Sequence, residues 1–167
     1  MSRFRTWQIG DVRVTRIVEL EMTTKGTWIL PDAKPEAVQQ VPWVVPHFAD
    51  AEGRITMSVQ ALVIESGSRR ILVDTCIGND KERSIPGWNL RSGPFLEDLA
   101  EAGFPADSID TVLCTHLHVD HVGWNTRLEG ERWVPTFASA RHLITRPEWE
   151  HWSVDDDEWN QRILEDS

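Results

Sequence analysis

Residues 115 to 124 read THLHVDHVGW, and six consecutive positions hold three imidazoles and a carboxylate: His116, His118, Asp120 and His121. Imidazole nitrogen and carboxylate oxygen are the donors that Zn²⁺ takes when no thiolate is offered. Side chains two apart on an extended chain lie on the same side, so His116 and His118 can converge on one ion. Asp120 and His121, beyond a turn, point to a neighbouring position. The pattern suits a metal centre that activates water, with Asp120 the candidate catalytic residue that orients it.

Such a cluster works only if rigid elements hold it. IDTVLC, residues 109–114, reads as a buried strand that delivers the chain directly into the motif. Upstream, ITMSVQALVIESGSRRILVDTCIG reads as two strands joined by a Ser-Gly-Ser turn, the second ending at Asp74. RTWQIGDVRVTRIVEL reads as a hairpin about Gly10-Asp11. PFLEDLAEAG reads as a short helix with Pro94 near its first turn and Gly103 as its stop. After the motif, ARHLIT is a further strand. Thr145-Arg146-Pro147-Glu148 reads as a capping box opening a helix with Trp149 and Trp152 on one face. The acidic run at 155–158 suits the N-terminus of a last helix.

Two stretches lack periodicity. Residues 21–53 carry Pro31, Pro35, Pro42 and Pro46, and residues 78–93 form a second long loop. Loops this long inside a compact domain are usually functional lids or disordered. Trp28, Trp43, Phe48 and Trp88 are therefore candidates for an apolar substrate lid, with plain anchoring of the loops an equal alternative.

The chain has 167 residues, 40% hydrophobic and 26% charged, enough for one globular domain with a real core. Its net charge of −10 argues against nucleic acid and against anionic membranes as partners. No apolar run approaches the ~20 residues that span a bilayer. MSRFRTWQIGDVRV has no apolar h-region after its basic residues, so no secretory signal is read. Cys76 and Cys114 form no CxxC pair and read as buried, inert thiols, which makes a cytoplasmic location the expectation.

THLHVDHVGW resembles the HxHxDH signature of the metallo-β-lactamase fold superfamily. ILVDTCIG resembles that family's earlier motif, in which an aspartate supports the metal site from behind, and Asp74 matches it. VGWN and RWVPTFASARHLITRPEWEHW are similar to the branch that contains lactonases and methyl-parathion-hydrolase-like enzymes. The resemblance implies an α+β fold, the αβ/βα sandwich, of which residues 1–167 cover about the N-terminal half of one domain, a mixed sheet with flanking helices. It implies a zinc-dependent hydrolase in which a metal-activated water attacks an ester, lactone, amide or phosphoester substrate with an apolar part. His116, His118, Asp120 and His121 would be ligands of two zinc ions, and Asp74 would orient a ligand histidine.

In that family each metal takes further ligands downstream: a third histidine for the first, and a bridging aspartate and another histidine for the second. His142 reads as part of a strand, His151 as part of a helix and His47 as part of the irregular segment, all with structural roles. The chain thus offers two donors to each metal, to be completed by a missing second half or by a homodimeric partner. Two other readings stay open: an iron-dependent oxidoreductase of the same fold, and a truncated, metal-poor module inactive on its own.

Overall fold

Gly10-Asp11 turns the chain back on itself as the sequence suggests. In the computed structural model of the protein, which describes residues 4–167, β1 (Arg5–Ile9) pairs antiparallel with β2 (Val12–Thr24), Ile9 opposite Val12. Gly10 takes φ +58°, the left-handed conformation that a two-residue hairpin turn requires. The chain divides into two compact units, residues 20–59 and the rest.

The unit of residues 20–59 is more regular than its composition suggests. It contains the end of β2, a 3-10 turn at Gly26–Trp28, and a short helix, α1 (Pro35–Gln39). Pro35 opens α1 where its missing N–H costs nothing. Ala49 bridges to Ile55, and Asp50 accepts hydrogen bonds from the Arg54 backbone and side chain at 2.9 and 2.7 Å. Val38 and Ala49 are buried here, while Trp28, Trp43 and Phe48 are exposed.

The other unit is built on the part of β3 (Ile55–Ser66) from residue 60 onward and on β4 (Arg69–Val73), a second hairpin with Ser66 opposite Arg69. Next come α2 (Phe95–Glu101), β5 (Thr111–Leu113), α3 (Val119–Val122), β6 (Thr126–Glu129), β7 (Arg132–Pro135), β8 (Arg141–Leu143), α4 (Arg146–Trp152) and α5 (Glu158–Asp166). Six strands form one sheet in the order β1-β2-β3-β4-β5-β8. The β4–β5 and β5–β8 pairings are parallel, the two hairpins antiparallel. This mixed sheet with flanking helices is the α+β architecture expected from the sequence. Leu72 of β4, Val112 of β5 and Leu99 of α2 are fully buried, and each such side chain stabilises the fold by about 1.5–3 kcal/mol.

Two local expectations change. The motif after β5 holds a short helix, α3, where a turn was expected. β6 and β7 form a small separate hairpin about Gly130-Glu131 that the sequence reading did not foresee. Trp149 and Trp152 do not share an environment: Trp152 is buried and Trp149 is 53% exposed. Three residues along a helix leave them 60° apart, on one face as expected, with the Trp152 indole inward and that of Trp149 at the rim.

Candidate metal centre

β4 and β5 are parallel neighbours with Val73 opposite Leu113, so Asp74 and Thr115 leave the sheet at the same edge. The C-terminal ends of parallel strands are where such sheets gather their ligand sites. Asp74 donates its N–H to the Leu113 carbonyl at 2.9 Å and adopts φ +60°, a conformation that Asp tolerates better than most residues. Its carboxylate accepts from the Thr115 N–H at 2.7 Å and from the Thr115 hydroxyl at 3.0 and 2.9 Å. His121 Nδ1 lies 2.9 Å from Asp74 Oδ2, a close ionic approach not aligned along an N–H bond.

His118 is extended at the N-cap of α3, whose first turn carries Asp120 and whose last carries His121. The segment after Asp74 is stitched to this helix. Thr75 donates its N–H to the His121 carbonyl (2.8 Å), Gly123 to Cys76 (2.7 Å) and Trp124 to Thr75 (2.8 Å). A Cβ on Gly123 would lie 1.8 Å from the Ile77 carbonyl oxygen, so only glycine permits this approach. The Glu19 carboxylate accepts from Ile77 N–H (2.9 Å), Gly78 N–H (3.1 Å) and Trp124 Nε1–H (2.7 Å). Phe95 of α2 stacks on Trp124 at 5.7 Å. On the other flank Glu148 Oε2 accepts from Leu117 N–H and Trp152 Nε1–H, both at 3.0 Å. The Leu117 amide is the chief reason that the Glu148 carboxyl sits below the ordinary carboxylate range.

The four motif side chains come together as two donor pairs. His116 Nε2 lies 3.0 Å from His118 Nδ1, and His121 Nε2 lies 3.5 Å from Asp120 Oδ2. A tetrahedral ion with bonds of about 2.0–2.1 Å sets two ligand atoms roughly 3.3 Å apart, so both pairs fit the edge of such a site. Among the described residues, no group of three or more His, Cys, Asp or Glu side chains is arranged to hold a metal. Each pair is therefore a fitting but incomplete donor set.

Protonation differs between the two pairs. The single proton of the Thr115 hydroxyl goes to Asp74, so at 3.0 Å from His116 Nδ1 the hydroxyl oxygen accepts from an Nδ1–H. That assignment leaves Nε2 of His116 with its lone pair facing His118. Burial, then the neighbouring His121 and His118, lower the pKa of His116, which keeps it neutral as a ligand must be. For His121 burial opposes charge, but the Asp74 and Asp120 carboxylates outweigh it and raise the pKa. Asp74 resists burial through the same His121 contact and the Thr115 amide, and its pKa falls.

Other candidates fall outside the cluster. Trp88, a lid candidate from the sequence, is buried at 4% exposure and lines a small cavity with Val119, Trp159 and Ile163. Trp28, Trp43 and Phe48 belong to the unit of residues 20–59, where Trp43 meets Phe48 edge-on at 6.3 Å. His142 lies on β8, and His151 on α4 packs edge-on against Trp152. Both cysteines are buried free thiols. Burial raises the pKa of Cys114 to about 11, and that of Cys76 well above its usual value. Glu19, Thr115, Glu148 and Trp152 escaped the sequence reading. Thr115 at least adjoins the motif, whereas Glu19 and Glu148 reach it only through the fold.

A family model described as the metallo-beta-lactamase superfamily matches residues 54–161. No curated protein matches the chain. Among solved structures, the hydrolase AbOPH of the beta lactamase superfamily is 19% identical with a TM-score of 0.68, covering 98% of this chain and 56% of its own. AidC, a dizinc quorum-quenching lactonase in complex with a product, is 20% identical with a TM-score of 0.71 over 96% of this chain and 55% of its own. A probable metal-dependent hydrolase from Staphylococcus aureus is 22% identical with a TM-score of 0.68, over 94% and 55%. At these identities the likeness is one of fold, and the chain spans little more than half the length of each relative. With the motif residues gathered as described and the family model covering most of the chain, the protein belongs to the metallo-beta-lactamase superfamily.

Proposed function

We propose that residues 1–167 are the N-terminal half of a metal-dependent hydrolase domain whose metal is zinc. The observation that carries this reading is the spacing of the two donor pairs, 3.0 and 3.5 Å, each matching one edge of a tetrahedral site. His116 and His118 would hold one ion, and Asp120 and His121 the other. Bound zinc supplies a Lewis acid that lowers the pKa of water and polarises a substrate oxygen. The chain's own residues do the rest. Thr115 holds His116 in the tautomer that directs Nε2 to an ion, and the Asp74 carboxylate, 2.9 Å from Nδ1, faces the ring of His121. Asp120 orients the attacking water.

The substrate class we propose is an ester, lactone, amide or phosphoester with an apolar part. An apolar cleft of about 350 Å³, lined by Leu117, Val122, Ile144 and Trp149 among others, adjoins the motif, and the AidC likeness is to a lactonase. Trp28, Trp43, Phe48 and Trp88 are the lid candidates. The missing donors come from a second half of the domain or from a second copy of the chain. A small-molecule substrate suits the net charge of −10, which disfavours nucleic acid. No helix among the described residues is long and apolar enough to cross a membrane, and two free cysteines suit a reducing, cytoplasmic compartment.

The test is metal affinity and hydrolysis in the completed protein and its Asp120→Ala variant. Zinc affinity is expected to drop at least about tenfold and turnover to collapse with it. Unchanged turnover and zinc content would sink the reading. Iron as the native metal, with oxygen consumption, would point instead to an oxidoreductase of the same fold.

A further inference from the structure

We infer that Glu148 is a positioning residue for the histidine pair. It acts through the Leu117 backbone, and the inference rests on the reading of His116 and His118 as metal ligands. Leu117 is the residue between them, and its N–H ties this stretch to α4 through Glu148 Oε2 at 3.0 Å. The same oxygen accepts from Trp152 Nε1–H at 3.0 Å, which fixes the carboxylate from a second direction. The Trp152 ring in turn stands edge-on to the His118 ring, centroids 5.4 Å apart at 89°. One carboxylate thus holds both the backbone joining the two ligands and the aromatic wall against the second.

The local sequence argues that this is not ordinary helix capping. Thr145 is the N-cap of α4, and its hydroxyl accepts from Glu148 N–H at 3.4 Å. In a complete capping box the residue in Glu148's place returns its carboxylate to the N-cap amide. Here the carboxylate leaves the helix for the metal motif. A local rule is broken where a functional segment needs the group, which is where such breaks are expected. Asp74 and Thr115 fix the entry to the motif, and α3 fixes its exit. Without Glu148 the intervening peptide at Leu117 loses its hydrogen bond to α4, and the 3.0 Å separation of His116 Nε2 and His118 Nδ1 is held less firmly.

Amide hydrogen exchange and zinc titration on the 167-residue chain test the inference together. In Glu148→Ala, the Leu117 amide is expected to exchange at least about tenfold faster while the buried Val112 and Leu72 amides keep their rates, and zinc affinity is expected to fall about 10–100-fold. Glu148→Gln keeps one acceptor oxygen and should fall between; it also serves if the alanine variant does not fold. Unchanged Leu117 exchange would overturn the inference, as would a freed Leu117 amide with wild-type zinc affinity, because Glu148 would then be structural only. A wild-type chain that takes up no zinc would instead defeat the metal reading. Leu117 exchange and the His118 ring proton shifts in the variants would then decide the positioning role by themselves.

Discussion

At the scale of single residues, the candidate site depends on groups outside the donor set. Thr115 gives its only hydroxyl proton to Asp74 and so must accept from His116 Nδ1, which frees Nε2. Thr115→Val keeps the shape and removes that acceptor. Zinc affinity of the chain is expected to fall about 10–100-fold, whereas Thr115→Ser should stay near wild type; competition with a chromophoric chelator measures both. A valine variant that binds zinc normally would show that the tautomer is set elsewhere. The candidate donors were legible in the sequence because four of them fall within six positions. Thr115, Glu148 and Glu19 were not, because a hydroxyl or carboxylate acquires its partner only when the chain folds. Glu148 even carried a misleading local signal, since its spacing from Thr145 announces a cap.

At the scale of elements, hairpins and long strands were readable from alternation and turn chemistry, and α2 from its flanking Pro94 and Gly103. α3 was not, because four residues are too short to show helical periodicity. The β6–β7 hairpin was missed although Gly130 marked its turn. How α5 docks could not be read either. Arg83 grips Asp166 with two bonds, 2.7 and 2.8 Å. Lys81, also buried, donates to Thr126 at 2.8 Å and to the Asp166 carbonyl, with its ammonium 3.7 Å from the Trp133 ring centre. Burial is the main cause that lowers the Lys81 pKa from 10.5 to about 8; Asp166 opposes it and Arg83 adds to it. The sign follows from linkage: between those values the unfolded chain holds more protons, so stability from this group rises with pH. Below about 8 the full cost of burying the ammonium is present. Lys81→Met removes it, leaving the Arg83–Asp166 pair intact. The variant's stability relative to wild type is therefore expected to be greatest at neutral pH and to decline by roughly 2–3 kcal/mol as pH rises from 8 to 10.5. Urea unfolding of both proteins across that range checks it. Thiol ionisation at Cys76 and Cys114 affects both alike and cancels in the difference. A gap that does not change with pH would show that Lys81 is not buried as a cation.

At the scale of the whole molecule, two donor pairs without a third ligand make zinc binding and assembly one question. The isolated chain is expected to bind zinc weakly as a monomer, and tight binding should appear only with association or with an added second half. Light scattering of the chain with and without zinc, run over a range of protein concentration, reads this directly. One tightly held ion on a strictly monomeric chain would mean that a third donor lies within it. The family architecture was legible from two motifs about forty residues apart, because each marks the end of a strand in a parallel pair. The stitching of those ends has a kinetic consequence. Thr75, Cys76, His121, Gly123 and Trp124 exchange backbone hydrogen bonds with one another, so neither segment can open without releasing the other. The amides of Thr75, Gly123 and Trp124 should behave as one cooperative opening unit, exchanging on a single timescale despite lying at two separate places in the chain.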